Sequence, residues 1–361
     1  MTKKFYWGKI ISLALLVMAV AATFSCCTTA NTEISQPTSV VPTPNATATV
    51  GKTAKPTSTP DSGTEIHFSD VSLEDVVRDV LGKNIGPIMI SDVENIKSLT
   101  ARVRGISNID ALAYFTSLEE LDLYGNRVTD LAPLSGLMSL KKLNLGKNFN
   151  MMSAGGSAAT GMDISYIREL VLLEELDLSD NMITNVESLK TLTSLKKLVL
   201  SKNRLSDIAA LSECRALEYV DISYNYGLNT DNTERGIKDL SPLYDIATIQ
   251  TLIAGNNIVE NIAGIEKLEN VSYVDLSYNF ISDVAPLNAL KNVKTINLHC
   301  NSLMDINGFK DNETIETLDV SQNMITHFDV ILSMKSLKNL NWEQNNIQDY
   351  EPIYEFEEKV K

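Results

Sequence analysis

Three histidines and four cysteines are the side chains in this sequence best suited to metal or nucleophile chemistry, and their spacing supplies neither. His67, His299 and His327 stand far apart, and no HExxH, GxSxG, CxxC or glycine-rich phosphate loop follows a strand in the context those motifs require. His299 and Cys300 are neighbours, but adjacent residues on a strand point to opposite faces and no further soft ligand stands close by. Asp231, Asn232 and Glu234 offer oxygen ligands at a spacing that fits no Ca²⁺ loop. The expectation is therefore no catalytic residue, no metal and no cofactor. A hydrolase using one of the regularly spaced aspartates is the weakest of the functional readings.

Other residues point to binding. Val199, Tyr219, Ile253 and Tyr273 replace charges at outward positions of otherwise polar segments, with Tyr224 and Tyr278 a few residues further on. Exposed aromatics grouped with aliphatics contribute large apolar area at low side-chain entropy, as a protein-binding hot spot requires. Asp221 and Asp275 lie between them in a stripe that also includes Asp122, Asp177 and Asp319. Such a stripe reads either as a solvated face or as an acidic trough that steers basic partners and weakens with salt. Candidate binding residues are thus Val199, Tyr219, Tyr224, Ile253, Tyr273, Tyr278, Asp221 and Asp275.

A repeat must position these residues. Ten times between 117 and 357 the chain spells a variant of LxxLxLxxNxI followed by a second apolar triplet, most plainly from Ser117 to Met138. Copies begin at Ser117, Ser139, Leu172, Ser194, Ala216, Thr248, Asn270, Asn292, Thr314 and Ser336. Residues 95 to 116 fit the same frame as a degenerate first turn, with Arg104 where the others carry Asn. In Leu121-Asp122-Leu123 the leucines alternate with a polar residue, so a strand's period of two turns them inward and sends Glu120, Asp122 and Tyr124 out. Eleven such strands, about 4.8 Å apart and running the same way, make a parallel sheet roughly 50 Å long. The recurring Asn, from Asn126 to Asn345, stands where the chain leaves the strand and pairs with backbone groups that a turn would orphan. Val128, Leu131, Leu134 and Leu137 recur every third residue, the spacing of 3₁₀ turns on the opposite side.

The spelling LxxLxLxxNxIxDIxPLxxL over residues 95 to 357 resembles the leucine-rich repeats of the bacterial internalin class. The resemblance implies an α/β right-handed horseshoe with its parallel sheet concave, a short 3₁₀ or irregular convex side and recognition of proteins or other macromolecules on the concave face. A repeat array buries its core between turns and leaves one long open surface, so a binding scaffold is expected rather than a catalytic pocket. Glu120, Lys142, Glu175 and Lys197 alternate in sign along neighbouring strands and read as cross-strand pairs. Two insertions, 149–162 and 226–236, should leave one rim three repeats apart.

An open solenoid needs its first apolar layer covered. Leu73, Val76, Val77, Val80 and Leu81 recur at helical spacing, with Ser72 as the expected N-cap and Gly82 as the stop; Ser91 to Glu94 gives a second cap signal. Residues 65–94 are therefore expected as a helical lid. The far end reads as bare, with 358–361 a short tail and Trp342, Pro352, Glu355, Glu357 and Glu358 shielding the last strand from pairing.

The amino terminus sets the compartment. Lys3, Lys4 and Lys9 precede an uncharged apolar run from Ile10 to Ala22, which reads as a secretory signal over 1–25, too short for a comfortable membrane span. The small residue Ser25 followed by Cys26 resembles the bacterial lipoprotein pattern, which implies lipidation of Cys26 and a membrane anchor. Residues 26–64, rich in Thr, Pro, Ser and Ala, build no core; as a linker they would span roughly 35 Å as a coil and on the order of 100 Å extended. With 46 acidic against 31 basic residues and a net charge of -15, a nucleic-acid partner is repelled. Cys214 fills an apolar slot and Cys300 a turn position four repeats later, so both are expected as free thiols. The expected protein is an extracytoplasmic, lipid-anchored or secreted monomer that binds another protein, with a surface glycan or cell-wall polymer as the alternative ligand.

Overall fold

The computed structural model describes residues 61–148, 161–228 and 234–361. The expected signal segment, Cys26, most of the linker, most of the first insertion, and Asp231 and Asn232 lie outside the described residues.

Eleven three-residue strands form one parallel sheet. They are β1 (Ser98–Thr100), β2 (Glu120–Asp122), β3 (Lys142–Asn144), β4 (Glu175–Asp177), β5 (Lys197–Val199) and β6 (Tyr219–Asp221), then, past a hairpin of β7 (Gly227–Leu228) and β8 (Glu234–Arg235), β9 (Thr251–Ile253), β10 (Tyr273–Asp275), β11 (Thr295–Asn297), β12 (Thr317–Asp319) and β13 (Asn339–Asn341). Register is strict, with like positions always paired, as in Leu99 with Leu121 and Leu121 with Leu143. The hairpin is the base of the second insertion, so the chain leaves the sheet after β6 and rejoins it at β9, which pairs directly with β6. The opposite side is built from 3₁₀ turns such as Asp110–Tyr114, Ala132–Gly136 and Glu187–Thr191.

Between these two sides the leucine slots form a single continuous core. Leu121, Leu123, Val128, Leu131, Leu134 and Leu137 are all buried, and the same slots stay buried in the following turns up to the last, where Leu340, Trp342 and Ile347 are half-buried and Tyr350 is exposed. The asparagine column closes one edge of this core. Asn126 donates from Nδ2 to the carbonyls of Ala101 and Leu123 at 2.7 and 2.8 Å, while its Oδ1 accepts from the N–H groups of Arg104 and Ile106. Asn203 does the same between repeats, donating to Leu178 and Leu200 and accepting from Asn181 and Ile183. Each Asn thus satisfies backbone groups of two successive turns, so its recurrence is structural. The residue before each Asn takes a left-handed conformation, for example Lys202 at φ 57° and Tyr278 at φ 53°, which lifts its side chain at the end of the strand.

Helix α1 (Val71–Leu81) lies at the start of the array with Leu73, Val76 and Val77 buried, and Gly82 ends it at φ 63°. The cap is Asp70, not Ser72: its Oδ1 accepts from the N–H groups of Ser72 and Leu73. Helix α2 (Ile90–Val93) begins after Met89, whose N–H is held by the Asp92 carboxylate at 2.7 Å, so Ser91 is not the cap there either. On the convex side one turn, α3 (Ala285–Asn288), is α-helical rather than 3₁₀.

The far end is not bare. Glu351–Val360 form a helix, α4, with Pro352, Ile353 and Phe356 buried against the last turn. Ile347, Tyr350, Ile353 and Phe356 follow the same three-residue spacing as a convex turn, yet the segment from Glu351 folds as α-helix. Among the described residues no helix is long and apolar enough to cross a membrane.

Candidate binding face

Because pairing keeps like positions together, the outward face carries two rows of side chains. One runs Glu120, Lys142, Glu175, Lys197, Tyr219, Thr251, Tyr273, Thr295, Thr317, Asn339. Lys142 Nζ sits 3.6 Å from Glu120 and 3.0 Å from Glu175, the cross-strand pairing that the alternation of sign predicts. A parallel ladder runs just outside it, where Glu119 lies between Lys97 and Lys141 at 2.9 and 2.6 Å. These two ammonium groups hold the Glu119 carboxyl down at about 2.

The second row is the aspartate stripe, and its members are occupied by the fold. Oδ1 of Asp122 accepts from the N–H of Tyr124, that of Asp177 from Ser179, that of Asp221 from Ser223, that of Asp275 from Ser277 and that of Asp319 from Ser321, all within 2.9–3.0 Å. Each of these aspartates closes the turn after its own strand, which leaves at most one carboxylate oxygen per residue for a ligand. Asp275 spends that one as well, on Asn297 Nδ2 at 3.2 Å.

The apolar substitutions fall together. Tyr219 and Tyr273 flank Thr251 in the first row, and Val199 and Ile253 flank Asp221 in the second, so four repeats present an interleaved patch. All four residues are half-buried on the sheet, which fixes their orientation and leaves part of each surface accessible. Lys197 Nζ lies 5.5 Å from the Tyr219 ring centroid. Burial, then the nearby Asp221, raises the Tyr219 phenol, and burial and Asp275 do the same to Tyr273, so both stay neutral hydroxyl donors. Tyr224 and Tyr278 stand beyond the strand ends at 53% and 46% exposure, outside the interleaved patch. Tyr224 packs near Lys202, 5.9 Å away, whereas Tyr278 turns toward His299.

Two hollows lie on either side of the patch. The amino-terminal one, about 270 Å³, is lined by the charged ladder of Glu120, Lys142, Glu175 and Lys197 and reaches Val199. The carboxyl-terminal one, about 440 Å³, is lined by Tyr278, His299, Asp319, Ser321, Asn341 and neighbouring side chains. Ser321, Gln322, Asn341 and Gln344 are not among the residues singled out from the sequence, where His299 stands out only as a metal-capable neighbour of Cys300. Their signal was present only in register: His299 and Ser321 are 22 residues apart, one repeat, and His299 and Tyr278 are 21.

Cys214 and Cys300 are both free. Burial pushes the Cys214 thiol up to about 11, and it raises that of Cys300 too, so neither is a ready thiolate. Among the described residues no cluster of three metal-capable side chains occurs.

A family profile described as leucine rich repeats (2 copies) matches residues 116–151 and 171–213. The fold is a leucine-rich repeat horseshoe. Internalin C2 from Listeria monocytogenes is 29% identical over 66% of this chain and 100% of its own, with a TM-score of 0.58. An internalin, inlF, from the same species is 23% identical over 80% of this chain and 93% of its own, with a TM-score of 0.56. The plant peptide hormone receptor RGFR1, solved in complex with RGF2, is 16% identical over 72% of this chain and 42% of its own, at a TM-score of 0.56. No curated protein matches the sequence. The leucine-rich repeats of this chain are thus internalin-like, with the likeness to the receptor one of fold alone.

Proposed function

We propose that this leucine-rich repeat protein is an extracytoplasmic, non-enzymatic binding protein that grips another protein on the concave face around Tyr219 and Tyr273. The observation that carries the reading is the interleaved patch: Val199, Tyr219, Ile253 and Tyr273 sit on four hydrogen-bonded strands whose geometry is set before any ligand arrives. A pre-ordered aromatic surface loses little entropy on binding, and the flanking charged rows add register and steering. Asp221 and Asp275 contribute charge at the patch while also holding their turns. The internalin-like architecture and the peptide-bound plant receptor of the same fold support a proteinaceous ligand.

The amino terminus supports delivery outside the cytoplasm, with Cys26 as the lipid-bearing residue and 26–64 as the spacer. Intact mass of the mature amino terminus should show a lipid-modified Cys26; an unmodified cysteine would remove the anchor. Cross-linking and pull-down from the native cell envelope should identify the partner. The double variant Tyr219→Ala, Tyr273→Ala should then weaken that complex by about 2–4 kcal/mol, a loss of roughly thirtyfold or more, with the melting curve retained. Unchanged affinity would sink the patch assignment.

A further inference from the structure

The carboxyl-terminal hollow has a construction that the mid-face patch lacks. Ser321 donates from both N and Oγ to Oδ1 of Asp319, at 2.9 and 2.5 Å. With its proton committed there, the Ser321 hydroxyl accepts from His299 Nδ1–H at 2.7 Å. In the neutral tautomer that carries its proton on Nδ1, His299 Nε2 accepts from the Tyr278 hydroxyl at 3.1 Å. The two rings meet edge to face, 4.9 Å between centroids. Side chains from three successive repeats therefore hold one exposed aromatic ring in one orientation. Tyr224, at the equivalent position two repeats earlier, has no such support beyond its nearby lysine.

Chemistry around that ring narrows the ligand. Tyr278 is the one aromatic wall; Asn297, Gln322, Asn341 and Gln344 bring amides, and Asp319 and Glu343 bring carboxylates. Asn341 Nδ2 bonds Asp319 Oδ2 at 2.8 Å, so the Asp319 carboxylate is fully engaged and Asn341 is held in place. Gln322, Asn341, Glu343 and Gln344 are exposed. With a single apolar wall the hollow offers little to a lipid or to the apolar anchors of a peptide. With no Lys or Arg in its lining and two carboxylates present, it disfavours an anion. An uncharged pyranose fits what remains: its C–H face packs on the tyrosine, and its paired hydroxyls meet side chains that both donate and accept.

We propose that this hollow, formed by Tyr278, His299, Asn341 and their neighbours, binds the sugar rings of an uncharged oligosaccharide. The site is separate from the mid-face patch and does not depend on it. Calorimetric titration of the full-length protein with chitotetraose, cellotetraose and maltotetraose, and with polysialic acid as an anionic comparison, tests the assignment. At least one neutral tetramer should bind saturably with Kd at or below about 1 mM, and polysialic acid should not. Tyr278→Ala should weaken binding at least tenfold and His299→Ala severalfold, while Tyr278→Phe, which keeps the ring, should stand between wild type and Tyr278→Ala. Tyr219→Ala, Tyr273→Ala should bind the sugar as wild type does, which separates this site from the protein contact. No binding of any neutral tetramer at ten times that concentration, binding unaltered by Tyr278→Ala, or a preference for the polyanion would overturn the proposal. So would loss of the protein partner, with no sugar bound, on changing Tyr278, because the hollow would then be a protein contact.

Discussion

At the scale of single residues, position in the repeat decides role. Asn203 is buried, and both its side-chain atoms are committed to backbone groups of adjacent turns. Asn203→Ala leaves two N–H groups and two carbonyls short of their partner in a buried site, so it should cost roughly 3 kcal/mol in chemical denaturation. A cost below about 1 kcal/mol would mean that the column is dispensable. Regular residues of this kind were legible from the spelling alone, since an Asn recurring at one slot can only serve what recurs with it. The aspartates were legible as a stripe but not as turn-formers, because the N–H groups that donate to them lie only two residues on and the turn geometry decides the bond. The His299 constellation was invisible: its partners are about one repeat away on either side, and nothing in a lone His-Cys pair indicates them.

At the scale of the element, Asp70 shows how tertiary contact selects a cap. Helical spacing and Gly82 place α1 correctly, yet both Ser72 and Asp70 are acceptable capping residues by type. Asp70 prevails because its second oxygen reaches the first repeat, accepting from the N–H of Ser107 at 2.8 Å and of Asn108 at 3.3 Å. Burial raises its pKa, but these hydrogen bonds to the charged form outweigh it and the net value is lowered. A carboxyl depressed in the folded state contributes stability that is present above its unfolded pKa and lost as pH falls through the folded one. Asp70→Ala should therefore lower stability by about 1–2 kcal/mol at neutral pH. The deficit should shrink on acidification below about pH 4, the ordinary carboxylate range. A pH-independent deficit in paired melting curves would show that the charge is not what ties helix to repeat.

At the scale of the whole molecule, a repeat array is as sound as its ends, because each turn rests only on its neighbours. The last turn buries Phe328, Ile331 and Met334, and α4 covers that layer with Ile353 and Phe356. A chain ending at Asp349 should melt less cooperatively and bind a hydrophobic dye. Amide exchange should rise first in β12 and β13 while β4 to β6 stay protected. Uniform exchange across the sheet would argue that α4 is ornamental. The sequence frame concealed this lid, since Ile353 and Phe356 keep the repeat's own spacing while lying on one buried face of a helix.

The sequence by itself determined the number of turns, the strand positions, the inward leucines and the asparagine column, because these are periodic and each copy restates the same local physics. It also marked Val199, Tyr219, Ile253 and Tyr273, as departures from that period. Only the tertiary structure decided what the outward side chains do together. Neighbours on the sheet are 22 residues or more apart, so the interleaving of the tyrosines, the capture of the aspartates by their turns and the Asp319–Ser321–His299–Tyr278 chain follow from register between repeats.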